Sequence, residues 1–165
     1  VGEFLTKPNF AQQAFVFSEP FVAKEKGGDP EVLMVSDIGF NPYASLLVTT
    51  ETVIKEKPEL VKAVVAASLE GWKQYLQSPK ETNEYIRTLN TDISEEALAF
   101  GSEAMAPLCK PPEGAQVGTM TLERWTELIQ QIEELNDIPA GSVKAAECFT
   151  VEYLGPGPEV PAGKM

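Results

Sequence analysis

The sequence predicts an α/β fold, a three-layer lobe in which helices flank a mixed β-sheet. Two observations support this prediction. Short apolar runs typical of strands occupy the first third of the chain, and longer amphipathic segments typical of helices follow them. The 165 residues, 43% of them hydrophobic, are enough for one domain with a sizeable core.

Three strands are predicted in the first third of the chain. They are "AFVFS" at 14–18, "VLMVS" at 32–36 and "SLLVTT" at 45–50, with the turn clusters "GGDP" and "GFNP" between them. Their apolar residues are continuous instead of alternating with polar ones. This pattern favours strands that are covered on both faces, as in a sheet between two helical layers.

Four helices are predicted after the strands. They cover 58–77, 79–90 and 94–108, and the last one starts at Thr121. Pro58 suits a first helical position, where its missing N–H is not needed, and Ser94 suits an N-cap because two acids follow it. Trp72 and Trp125 lie on apolar helical stripes, so we expect both to anchor the core.

Composition excludes several classes of function. The formal charge of −12 argues against nucleic acid and anionic membranes, which attract Lys and Arg. The chain has no histidine, so it cannot form a Ser-His-Asp or Cys-His triad, and a metal site is not expected. Cys109 and Cys148 are compatible with one disulfide in an oxidising compartment and equally with two buried thiols.

Three stretches follow one another in an order that is characteristic of one protein family. They are "SEPFVAKEKG", the long run from "VLMVSDIGFNPY" to "WKQYLQSP", and "VKAAECFTVEYL". This order resembles the C-terminal half of the solute-binding proteins of ABC importers, type II periplasmic binding proteins. The resemblance is greatest to the thiamine-pyrimidine-synthase-like group, which is related to sulfonate- and nitrate-binding proteins. It runs from about Phe15 to Leu154. It implies a periplasmic-binding-protein-like lobe that is incomplete relative to the two-lobe family fold.

The resemblance also implies how the chain is divided. Residues 1–20 would end the second lobe and form a crossover strand. Residues 21–154 would hold the return crossover and the C-terminal part of the first lobe, and residues 155–165 form a Pro/Gly-rich tail. The abrupt start at Val1 leads us to expect a fragment whose cleft is completed by another chain or by a homodimer.

The function that the resemblance implies is binding, without an enzyme activity or a cofactor. The protein would hold a small solute between two lobes and deliver it to an ABC import permease. The solute would be a thiamine-precursor-like or other small nitrogenous compound. The expected location is periplasmic or extracellular in a bacterium, with a lipid anchor on the full-length protein.

Two alternatives stay open. One is a stand-alone lobe that acts as an interaction, oligomerisation or sensor module. The other is a fragment of a thiamine-pyrimidine synthase, an enzyme that the resemblance links to a histidine, a lysine bearing pyridoxal phosphate and iron-dependent oxidation. The absence of histidine disfavours that enzyme.

Two segments hold the candidate ligand-binding residues. The resemblance places the loop after "SEP" in the cleft, so Glu19 is the first candidate and Ser18 a supporting donor. A carboxylate accepts strong hydrogen bonds from an amine or an aminopyrimidine, and Pro20 fixes the backbone after it. The alternative is that Glu19 hydrogen-bonds neighbouring backbone.

The second segment is "SDIGFNPY" at 36–43. Phe40 and Tyr43 offer aromatic faces to a flat heterocycle, and Asp37 and Asn41 offer polar contacts. In the alternative interpretation this segment is a turn in which Asp37 and Asn41 bond their own backbone and Phe40 packs inward.

Overall fold

The computed structural model describes residues 1–155, and its regular structure is helical. The α-helices in this part of the chain are α1 (Gly2–Thr6), α2 (Glu19–Glu25), α3 (Glu51–Glu56), α4 (Pro58–Gln77), α5 (Lys80–Leu89), α6 (Glu95–Met105) and α7 (Leu122–Glu134). Short 3₁₀ turns cover Val35–Ile38, Ala145–Glu147 and Glu152–Leu154. Residues 1–155 contain no β-strand.

The predicted mixed sheet, and with it the three-layer α/β lobe, is therefore wrong. Residues 14–18 form a turn that leads into α2, residues 32–36 run into a 3₁₀ turn, and residues 45–50 are irregular. A strand needs a neighbour that receives its backbone hydrogen bonds and a layer that covers its side chains. Here several apolar side chains of the second and third runs are exposed, Leu33 at 84% and Val48 at 85%, whereas Val16 and Phe17 of the first run are half-buried.

The helix predictions are confirmed. α4 has the predicted bounds, and α5, α6 and α7 lie within the predicted segments. The cap predicted at Ser94 is confirmed because a cap is a local interaction, and Thr121, predicted as the start of the last helix, is its N-cap. The Ser94 hydroxyl accepts a hydrogen bond from the Ala97 N–H at 3.1 Å, and the Thr121 hydroxyl accepts one from the Arg124 N–H at 3.3 Å.

The chain divides into two compact units. The first unit comprises Val1–Leu33 and Gly71–Lys110, and the second comprises Met34–Glu70 with residues 111–155 of the described chain. The assignment of residues 1–20 and 21–154 to lobes of a larger protein stays a prediction. From residue 156 on, the predicted tail lies outside the described residues.

In the first unit, α6 packs against α5 and α2. The rings of Phe21 and Phe100 lie 5.2 Å apart, and Ala23 is 3% exposed. Gly101 allows the close approach, because a Cβ atom there would lie 3.1 Å from the Phe17 carbonyl oxygen. Trp72 is 39% exposed, so its predicted core position is wrong, although its ring meets the edge of Tyr75 at 6.0 Å.

In the second unit, α7 packs against the 3₁₀ turn at Ala145–Glu147. The Trp125 and Phe149 rings stack with centroids 5.9 Å apart and an interplanar angle of 9°. Ile129, one turn further along α7, is 9% exposed. Trp125 thus anchors the apolar side of α7 as predicted.

Candidate functional site

Glu19 begins a helix instead of ending a strand. It is the first residue of α2, with Ser18 at the N-cap position and Pro20 buried in the first turn. The first turn of a helix has N–H groups without helical partners, so the missing N–H of Pro20 costs nothing there. This explains why an acid and a proline follow the apolar run at 15–17.

The Glu19 carboxylate contacts the backbone just before its own helix. Its Oε2 atom accepts a hydrogen bond from the Phe15 N–H at 2.8 Å, which is the alternative role stated above. A carboxylate has about four acceptor positions on two oxygens. The contact with Phe15 therefore uses only part of what Glu19 can offer to a ligand.

The second candidate segment, 36–43, begins as a tight turn. Asp37 lies exposed in the 3₁₀ turn at Val35–Ile38. Gly39 ends this turn with φ of 91°, a left-handed conformation that favours glycine. The Phe40 N–H then donates to the Val35 carbonyl at 3.1 Å, and the Phe40 side chain is 39% exposed.

Arg124 on α7 holds the rest of this loop. Its Nη2 atom donates to the Asn41 Oδ1 at 2.7 Å and to the Pro42 carbonyl at 3.0 Å, and its Nε donates to the Asn41 carbonyl. Its guanidinium also lies 4.2 Å from the centre of the Tyr43 ring. Only arginine combines several donors in a fixed plane with stacking on an aromatic face.

Other residues around α7 hold the same loop. The Thr121 N–H donates to the Tyr43 hydroxyl at 2.9 Å, and the Gln131 side-chain amide donates to the Gly39 carbonyl at 2.9 Å. The Tyr43 and Trp125 rings lie 6.0 Å apart. Among the described residues, the buried Trp125 Nε1 has no acceptor.

The six candidate residues thus fall into two groups. Ser18 and Glu19 belong to the first unit, and the residues from Asp37 to Tyr43 belong to the second. The structure engages Asn41 and Tyr43 with α7, whereas Asp37 and Phe40 stay exposed. Sequence reasoning missed Arg124, although it is one of two arginines in the chain and directly precedes Trp125.

The two cysteines differ in their surroundings. Both are free thiols in the structure, Cys109 half-buried and Cys148 exposed, so the alternative of two buried thiols does not describe them. Burial raises the pKa of the Cys109 thiol. Cys148 is exposed, and its Sγ lies 3.5 Å from the Lys144 carbonyl oxygen. A disulfide between the two cysteines stays a prediction, and titration of the free thiols would test it.

Within residues 1–155, His, Cys, Asp and Glu side chains form no group of three that could hold a metal ion. The helices of this part of the chain include none with the length and apolar character needed to cross a membrane.

Comparison with known proteins bears on both candidate segments. Residues 7–82 match the family described as NMT1/THI5 like, which confirms the resemblance over that part of the chain. The riboflavin-binding protein RibY of Chloroflexus aurantiacus is 34% identical over 67 residues, which is 41% of this chain and 19% of that protein. The match thus spans about a fifth of the length of this curated relative. No solved structure matches the chain.

Proposed function

We propose that this chain is part of a solute-binding protein and contacts a small nitrogenous ligand. One observation carries the proposal: the family match over residues 7–82 contains all six candidate residues, from Ser18 to Tyr43. The name of the relative RibY describes a protein that binds riboflavin, which is a flat heterocycle rich in nitrogen. The ligand proposed for this chain is of that kind, a flavin or an aminopyrimidine related to thiamine precursors.

The segment at 36–43 suits such a ligand. The half-exposed Phe40 ring offers a face for stacking, and the Asp37 carboxylate offers an acceptor for ring N–H groups. Arg124 acts as a positioning residue, because its hydrogen bonds to Asn41 and Pro42 hold the loop before a ligand arrives. A loop held in advance lowers the entropy cost of binding.

The charge of the chain supports a neutral or cationic ligand over an anion. The net charge is −12, and both candidate segments carry a carboxylate, Glu19 in one and Asp37 in the other. In the complete protein, we propose, the remaining contacts come from another chain or a second copy, and the solute passes to an ABC permease from the periplasmic or extracellular side.

Fluorescence titration tests the proposal. Riboflavin fluorescence should be quenched on binding, and a 4-aminopyrimidine should compete if both occupy one site. Phe40→Ala should weaken binding by about three- to tenfold, the value of one aromatic stacking contact. Tyr85→Ala is the matched control, because Tyr85 is 64% exposed and lies outside the family match.

Two results would contradict solute binding by this chain. One is the absence of binding by either compound in every oligomeric state that native mass spectrometry detects. The other is an equal loss of affinity in the Phe40→Ala and Tyr85→Ala variants, which would show that binding does not depend on the loop.

An oligomerisation module is the second candidate function. It is favoured by large apolar side chains that are exposed on the second unit, including Ile38 at 84%, Leu47 at 65% and Val48 at 85%. Large exposed apolar side chains are typical of protein interfaces where they form a continuous patch. Sedimentation velocity separates the candidates: a stable dimer that binds neither compound favours the module, and a monomer that binds one favours the receptor.

A further inference from the structure

Residues 44–49, with the sequence "ASLLVT", form an exposed run that has no regular structure apart from a bend at Ser45. The side chains of Leu46, Leu47 and Val48 are 41%, 65% and 85% exposed. Within residues 1–155, the N–H and C=O groups of this run make no backbone–backbone hydrogen bond. Unpaired backbone beside exposed apolar side chains is a template on which another strand can pair.

The residues that flank this run hold it at the surface. On one side, the Tyr43 hydroxyl accepts a hydrogen bond from the Thr121 N–H at 2.9 Å. On the other side, Thr50 has extended backbone and caps α3, where its hydroxyl accepts from the Val53 N–H at 3.2 Å and its carbonyl from the Ile54 N–H at 3.1 Å. A segment that is fixed at both ends loses less conformational entropy when it pairs.

The sequence of the run matches itself in the antiparallel direction. If two copies pair with Leu47 opposite Leu47, then Leu46 lies opposite Val48 and Ser45 lies opposite Thr49. Apolar side chains thus face apolar ones, and hydroxyls face hydroxyls. A shift by one residue in either direction would place an apolar side chain opposite a hydroxyl, so the pattern selects one register.

The distribution of charge also favours a second copy, although each copy carries a net charge of −12. Residues 38–50, between Asp37 and Glu51, include no charged side chain. In the register centred on Leu47, the two Glu51 residues lie at opposite ends of the pair, about 27 Å apart at about 3.4 Å per residue. This distance exceeds the Debye length of about 8 Å at 0.15 M salt, so their repulsion is screened.

We propose that residues 44–50 pair in antiparallel fashion with the same residues of a second copy, forming a dimer with twofold symmetry. Such an interface uses one surface on both copies, which requires a surface that matches itself. The inference rests on the second candidate function, oligomerisation, and names its surface and its partner. A pair of short strands buries less than the roughly 1,200 Å² of a stable interface, so a Kd on the order of 10 µM is expected.

Sedimentation velocity from about 1 to about 200 µM protein, in about 0.15 M salt, tests the proposal. The mass should rise from that of a monomer toward that of a dimer. Leu47→Glu places two like charges opposite each other and should weaken the dimer about tenfold or more. Leu89→Glu is the matched control, because it adds the same charge at a leucine of α5 that is 71% exposed, and it should leave the Kd unchanged.

Cysteine cross-linking tests the register in a Cys109→Ser, Cys148→Ser background. In the paired strands, the two Leu47 Cα atoms would lie about 5 Å apart and the two Val48 Cα atoms about 8 Å apart. A disulfide spans at most about 7 Å between Cα atoms. Oxidation should therefore link Leu47→Cys into a covalent dimer much faster than Val48→Cys.

Three results would overturn the proposal. A monomer at every concentration would contradict this pairing and the oligomerisation module together. A dimer that is unchanged in Leu47→Glu would contradict the pairing and leave the module, because the copies would then associate through another surface. Cross-linking of Val48→Cys as fast as that of Leu47→Cys would contradict the register. Because Leu47 is 65% exposed, the circular dichroism of Leu47→Glu should match that of the parent.

Discussion

Replacing Arg124 with alanine should lower the free energy of unfolding of the second unit by about 2–4 kcal/mol. The change removes three hydrogen bonds to Asn41 and Pro42 and the contact with the Tyr43 ring. Hydrogen bonds from a partly exposed side chain contribute about 0.5–1 kcal/mol each. A cation over an exposed aromatic ring contributes a further 0.5–1 kcal/mol or so.

Urea denaturation followed by circular dichroism measures this loss, and amide exchange locates it. Exchange at Phe40 and Thr121 should accelerate, because the loop that they border loses its anchor. Arg124→Lys should recover only part of the loss, since lysine keeps the charge but lacks the planar set of donors. Arg87→Ala is the matched control: Arg87 pairs with one exposed acid at 3.2 Å, so about 0.5 kcal/mol or less is expected.

A loss in Arg124→Ala no larger than that in Arg87→Ala would refute this reasoning. It would mean that the loop at 36–43 is held by the Tyr43 and Gln131 contacts alone. If Arg124→Lys kept the full free energy of unfolding, the reasoning would also be wrong. The stabilisation would then come from the positive charge and would not depend on the geometry of the guanidinium.

Two further predictions concern paired substitutions. Gly28→Ala should lower the free energy of unfolding by about 1–3 kcal/mol, because the added Cβ would lie 3.0 Å from a backbone carbonyl oxygen. Gly71→Ala should stabilise α4 by roughly 0.5–1 kcal/mol, because nothing lies within 4 Å of the added Cβ. Melting temperatures that shift in the same direction in both variants would contradict this pair of predictions. Tyr75→Phe should cost about 1–2 kcal/mol, since it leaves the buried Asn83 carbonyl without its donor, and exposed Tyr85→Phe should cost nothing measurable. Burial raises the pKa of Tyr75 in the folded chain, so as the pH rises this hydroxyl loses its proton in the unfolded chain first. The stability of the parent should therefore fall above about pH 10, and that of Tyr75→Phe should fall less. Thermal melts at several pH values can check this.

The helices could be predicted from the sequence because their signals are local. The apolar spacing along α4 and the cap at Ser94 involve residues within one or two turns of each other. Each helix completes its own backbone hydrogen bonds, so a correct local pattern is enough to predict the element.

The sheet could not be predicted in the same way. The runs at 32–36 and 45–50 have the composition of strands, but a strand forms only with a neighbour. Within the described residues neither run has one, and side chains such as Leu33 are exposed. The composition of these runs indicated a preference for extended backbone, and the structure shows that this preference alone does not produce a strand.

The candidate site was predictable only in part, for the same physical reason. The segment at 36–43 drew attention because it combines aromatic and polar residues within a turn. Its anchor, Arg124, is 83 residues away from Asn41 along the chain, and no local pattern connects the two. The sequence indicated a hydrogen bond from neighbouring backbone to Glu19 as one alternative, but the partner, the Phe15 N–H, depends on the turn before α2.

The exposed apolar side chains of the chain also determine how it behaves as a colloid. Leu33, Ile38 and Val48 attract other copies at short range, while the net charge of −12 keeps molecules apart at longer range. Salt screens only the repulsion, whose range falls from about 30 Å at 0.01 M to about 3 Å at 1 M. The second virial coefficient should therefore turn from positive to negative as salt is added. At a fixed protein concentration, added salt should therefore move the chain from dispersed molecules toward clusters.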